Sequence, residues 1–192
     1  MDKKITFSPY VMLIDASYIN KVGIGLADYF SKQMGRALPK ADLPLLLECM
    51  AMDAGIQPGD NEVQVFFVSD GHMTGMKFCL PSRLADETHG NAFRGPVGEF
   101  SLYAFQPSGL ATVEELFMET LQLIDEAKEV LRIVMVPDED TYGHLAWQYA
   151  DGMQGDKVVA FGMKPLETGK RFRFETLGYP LLKSYGIRPD DL

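Results

Sequence analysis

Three apolar stretches of this 192-residue sequence each run into aspartate. Residues 11–14 end at Asp15, residues 63–68 reach Asp70 through Ser69, and residues 132–136 reach Asp138 and Asp140 through Pro137. Carboxylates gathered at one place repel each other unless a divalent cation lies among them or some are protonated. Ligation by oxygen alone favours magnesium or manganese over zinc. Such an ion can generate hydroxide and align a phosphodiester for in-line attack. The same residues have a plainer use, because aspartate after a strand is a common helix cap or turn former. His144, one turn beyond Asp140, is a candidate general acid or phosphate contact, or simply a residue of a helix.

The elements that must position these groups follow from the spacing. The three apolar stretches read as buried strands, and residues 157–161 as another. Tyr18, Val22, Leu26, Tyr29 and Phe30 recur at helical spacing, with Ser17 as N-cap and Gly35 as stop. Residues 43–52 are apolar nearly all round, which predicts a buried helix. Thr112 and Glu115 form a capping box ahead of a helix whose inner face is expected at Leu116, Leu123 and Ala127. A further helix is expected after Asp140, a short edge strand over 171–174 and a short helix over 176–184. Strands alternating with helices predict one α/β domain with a mainly parallel sheet covered on both faces.

Residues 72–109 break this pattern. Residues 76–80 and 99–105 suggest an antiparallel pair, a β-hairpin-like insertion with polar residues between. Arg83 and Arg94 in it are candidates to border a substrate groove or a subunit contact. A long irregular segment in a small domain is usually functional.

The net charge of −9 argues against a broad, non-specific hold on nucleic acid. The densest basic stretch, Lys164, Lys170, Arg171 and Arg173 with Phe172 and Phe174 between, suits either a single strand or an exposed hairpin. Cys49 and Cys79 form no C-x-x-C pair and read as buried thiols. No apolar run approaches a membrane span, and the first residues lack the pattern of a signal peptide, so a cytoplasmic protein is expected. A glycine-rich phosphate loop and a nucleophile elbow are both missing.

Val-Met-Leu-Ile-Asp15-Ala-Ser17-Tyr-Ile resembles the opening of the PIN-like superfamily of metal-dependent nucleases, in particular its NYN branch. Ile133-Val-Met-Val-Pro-Asp138-Glu-Asp140-Thr-Tyr, followed by a helix and Lys157-Val-Val-Ala-Phe-Gly162, resembles the later segment, where a strand ends in Asp-x-Asp. Asp70 matches the central acidic position. The resemblance implies a three-layer α/β/α sandwich of PIN-like, Rossmann-like type. It also implies bound magnesium or manganese and RNA cleavage by an activated water. Asp15, Asp138 and Asp140 would hold the metal, Asp70 would join the catalytic set, and Ser17 would stand beside the first aspartate. The chain departs from the pattern at Tyr18, where NYN proteins carry asparagine, at Pro137, and at Tyr142, where an apolar residue is usual nearby. Glu48 is the candidate for the acid that PIN proteins carry on an early helix.

Two functions are therefore expected. One is a PIN/NYN-like ribonuclease. The other is a non-catalytic binding or assembly protein on the same fold, working through residues 72–109 and able to form a homodimer. A phosphatase-like use of Asp15 as nucleophile is a distant third, since Ser17 stands where such enzymes carry aspartate.

Overall fold

The structure is a computed structural model that describes residues 6–153, 155–167 and 169–192. Its centre is β1 (Tyr10–Asp15), whose last five residues are all buried. The strand passes without a loop into α1 (Ala16–Met34), so Asp15 rather than Ser17 is the N-cap. Its carboxylate accepts the Tyr18 N–H at 3.0 Å. Gly35, at φ 63°, ends the helix in the left-handed conformation that glycine adopts without steric cost.

There follow β2 (Ala41–Asp42), the buried helix α2 (Leu43–Asp53), β3 (Asn61–Val68) and β4 (Cys79–Leu80). A π-helical turn, Leu84–Thr88, leads to β5 (Ala92–Arg94) and β6 (Gly98–Phe105). The chain then continues through α3 (Val113–Glu126), β7 (Arg132–Val136), α4 (Gly143–Gly152), β8 (Val158–Gly162), β9 (Arg173–Thr176) and α5 (Gly178–Ser184).

Seven strands form one sheet in the order β5-β6-β3-β1-β7-β8-β9. All neighbours are parallel except β5 and β6. The chain winds outward from β1 in two directions, to β3 and β6 on one side and to β7, β8 and β9 on the other. In such sheets the crevice at the reversal, outside the carboxyl ends of the two central strands, is where ligands bind. Here that crevice lies between the ends of β1 and β7.

Alternation along the strands supplies two cores. Met12, Ile14, Val65 and Phe67 face one side, with Leu46, Leu47 and Met50 of α2 and Leu181 of α5. Val11, Leu13, Ile133 and Met135 face the other, with Phe117, Leu121 and Ile124 of α3 and Trp147 of α4. Helices thus cover both faces. The inner stripe of α3 is one residue out of step with the expected one: Leu123 is half exposed and Ala127 is the C-cap.

The segment 72–109 is organised differently from expectation. Residues 76–80 do not pair with 99–105. Their β4 portion pairs with β2 in a separate two-stranded sheet, and β6 is a full member of the main sheet, in parallel register with β3 from Gly98 to Phe105. The one hairpin is β5 with β6. Among the described residues no helix is long and apolar enough to cross a membrane.

Candidate active site at the carboxyl edge

Asp15 ends β1 in the crevice and is 2% exposed. One carboxylate oxygen caps α1. The other accepts the Tyr142 hydroxyl at 2.6 Å. Burial pushes the Asp15 carboxyl above its ordinary range, the Tyr142 and Tyr18 hydrogen bonds oppose that, and the nearby Asp138 adds to it. Burial beside the Asp15 carboxylate also raises the Tyr142 phenol, which keeps it a donor.

Asp138 organises the turn after β7. Its carbonyl accepts the N–H groups of Thr141, Tyr142 and Gly143, and its carboxylate accepts the Asp140 N–H at 3.0 Å. That turn aims Tyr142 back at Asp15. The intervening Glu139 reaches across the crevice. Its carboxylate accepts the Tyr18 hydroxyl at 2.6 Å and the N–H groups of Met163 and Lys164 at 2.9 and 3.1 Å. The approach requires Gly162, where a Cβ would sit 2.4 Å from a Glu139 oxygen. Asp140 points outward and takes two ammonium groups, Lys21 from α1 at 2.7 Å and Lys164 from the loop after β8. Lys164 and Lys21 together hold its carboxyl down at about 2.

Every acid of the cluster therefore has a protein partner. Metal binding calls for ionised carboxylates with free lone pairs directed at one point. Asp15 is buried and pushed toward its neutral form, Asp140 is neutralised by two lysines, and Glu139 is turned to backbone N–H groups. Among the described residues, no three His, Cys, Asp or Glu side chains are grouped to hold a metal ion. In this arrangement the residues do not fit magnesium or manganese.

A family model matches residues 4–192. The chain belongs to that family, described as a family of unknown function (DUF6621). No curated protein and no solved structure matches the chain.

In this family member the other expected site residues are dispersed. Asp70 is exposed, and its carboxylate accepts the His72 and Met73 N–H groups at 2.8 and 3.0 Å, so it shapes the turn after β3. Ser17 donates to the Met73 sulfur at 3.4 Å, which joins the start of α1 to that turn. His144 is exposed on α4. Arg83 pairs with Asp86 on the same side of the sheet. Arg94 pairs with Asp60 and Glu99 at the opposite, amino edge and does not border the crevice. Glu48 also faces that edge: it is 6% exposed and accepts the Val97 N–H at 3.2 Å. The basic stretch is not a stacking surface, because Phe172 is buried and both it and Phe174 pack on Trp147.

Glu139 and Lys21 were not singled out in the sequence, and Lys164 was named only as part of the basic stretch, not as a partner of Asp140. Tyr142 was named as a departure from the NYN pattern, and Tyr18 both as such a departure and as a residue of the helical series, but neither as a partner of an acid. Both departures supply hydroxyls that bond the acids.

A pocket of about 540 Å³ adjoins the crevice at the carboxyl ends of β3 and β6. Its walls come from the turn after β3, with Met73 and Thr74, from Arg83 to Asp86 and His89, and from Ala104 and Gln106 at the end of β6. Met73 is common to this pocket and to the Ser17 contact.

Proposed function

We propose that the protein is a non-catalytic binding module on a three-layer, PIN-like α/β/α fold, with segment 72–109 as its binding element. The observation that supports this most is the pair of tyrosines at Tyr18 and Tyr142. Each stands where the chain departs from the NYN pattern, and each donates a 2.6 Å hydrogen bond to an acid of the cluster. Together with Lys21 and Lys164 they turn the acid cluster into a tie between α1, the β7–α4 turn and the loop after β8.

A second reading, a magnesium- or manganese-dependent ribonuclease, is favoured by one observation. Asp15 and Asp138 are close enough for the charge of one to raise the carboxyl of the other. Like charges at a sheet crevice are what a cation would relieve.

Calorimetric titration with manganese separates the two. The binding-module reading expects no binding heat from wild type or from Asp138→Asn at millimolar metal, and no cleavage of single-stranded RNA. Stoichiometric binding by wild type that Asp138→Asn abolishes would establish the nuclease reading instead. The double variant Tyr18→Asn, Tyr142→Phe removes both hydroxyl ties, and a gain of manganese binding in it alone would show that the tyrosines close a relic site.

A further inference from the structure

The pocket beside the crevice is built almost wholly from segment 72–109, and its chemistry indicates what it takes. Its volume, about 540 Å³, lies within the usual range for small-molecule sites. Met73, Ala85 and Ala104 give it apolar surface. Around that surface the polar groups are partly committed, and the commitments decide what is left for a ligand. The Gln106 amide nitrogen donates to the Met73 carbonyl at 3.2 Å, which leaves its oxygen as an acceptor. His89 accepts the Ala104 N–H at Nδ1, at 3.0 Å, so the ring hydrogen lies on Nε2 as a donor. Thr74 adds a hydroxyl that serves as either.

Charge selects further. The guanidinium in the lining, Arg83, is already paired with Asp86, which also lines the pocket. The pair has no net charge, so the pocket does not call for a free anion. A π-helical turn, Leu84–Thr88, forms one wall, and such turns are frequent at functional sites.

We propose that this pocket binds a neutral heteroaromatic ring with donors and acceptors along its edge, that is, a nucleobase or nucleoside. The inference deepens the binding-module reading and rests on it for the role of segment 72–109, but it does not depend on the state of the acid cluster. Base recognition draws on an apolar surface and on hydrogen-bond donors and acceptors, and the pocket lining supplies both.

The test is ligand-observed saturation-transfer NMR on the full chain with adenosine, uridine, inorganic phosphate and a single-stranded hexanucleotide. Transfer to the base protons of at least one nucleoside is expected, undisturbed by inorganic phosphate. Ala85→Trp fills the pocket from an exposed position and should weaken that binding by at least about tenfold, with thermal melting unchanged. Gln106→Ala, also exposed, should weaken it several-fold and carries the test if the tryptophan variant fails to fold. A hexanucleotide bound at least about tenfold tighter than the nucleosides, and sensitive to Ala85→Trp, places the base in a strand; one bound no tighter indicates a free nucleoside. No nucleoside binding, displacement by phosphate, or equal binding in the variants would overturn the proposal. The manganese titration reads other residues, so either result can fail without the other.

Discussion

Tyr142 donates its hydroxyl to a carboxylate with almost no access to water, and the stability of the crevice depends on that bond. Tyr142→Phe leaves one Asp15 oxygen buried without its partner. The expected loss is about 1–3 kcal/mol in urea denaturation, the range for stranding a buried acceptor. Asp15→Asn tests the charge itself. Asparagine caps helices as well as aspartate does, and the amide keeps polar contacts to Tyr18 and Tyr142. Because the Asp15 carboxyl is raised in the folded state, that state holds its proton longer than the unfolded chain. The Asp15 contribution to stability therefore falls as pH rises from the ordinary value of 3.8 through the folded value. Asp15→Asn should abolish this fall and be at least as stable as wild type at neutral pH. A large loss at pH 7 would show that the ionised carboxylate is needed.

Asp140 works in the opposite sense. Its carboxyl is held at about 2, below the ordinary 3.8, so its stabilisation is complete above 3.8 and is lost as pH falls toward 2. Asp140→Asn should flatten the acid limb of stability in that window, with a small effect at neutral pH because the pair is exposed. Denaturation midpoints followed from pH 2 up to neutral would show both effects.

Elements differ in how local their causes are, and this decided what could be read in advance. The capping box of α3 was legible because Thr112 and Glu115 lie three residues apart and satisfy each other's backbone N–H groups. Thr112→Ala should cost about 1 kcal/mol in thermal or urea unfolding. The central strands, the helices after them and the strand-end placement of Asp15 and Asp138 were equally legible from apolar runs and spacing. The inner stripe of α3 was not, since Leu116, Leu123 and Ala127 are as apolar in sequence as the stripe that packs, and only the sheet beneath chooses. The partner of residues 76–80 is set by β2, far along the chain. So is the closure of the acid cluster: Tyr142 and Asp15 are 127 residues apart, and no local spacing announces them. Gly98 shows the same limit. At φ 149° it lies where a Cβ would meet the Asn61 carbonyl oxygen at 2.1 Å, at the start of the β3–β6 register. Gly98→Ala should cost about 3 kcal/mol or more, measured by denaturant midpoint, from clash and backbone strain together.

At the scale of the molecule, stability should follow the strand order. β1 has hydrogen-bonded partners on both sides and a buried surface on both faces, whereas β5 is a three-residue edge strand. Amide hydrogen exchange should be slowest in β1 and β7 and fastest in β5. Comparable rates throughout would show that the sheet opens as one unit.

The placement of β1 also matters while the protein is being made. It is made before either of its partners, and one of them, β7, begins only at Arg132. At about 5–20 residues per second, roughly ten seconds separate the two on the ribosome. During that interval the backbone along one side of β1 has no β7 to pair with. The nascent chain thus carries an unpaired strand edge, the kind of surface that chaperones bind and that aggregates form on, until β7 has emerged.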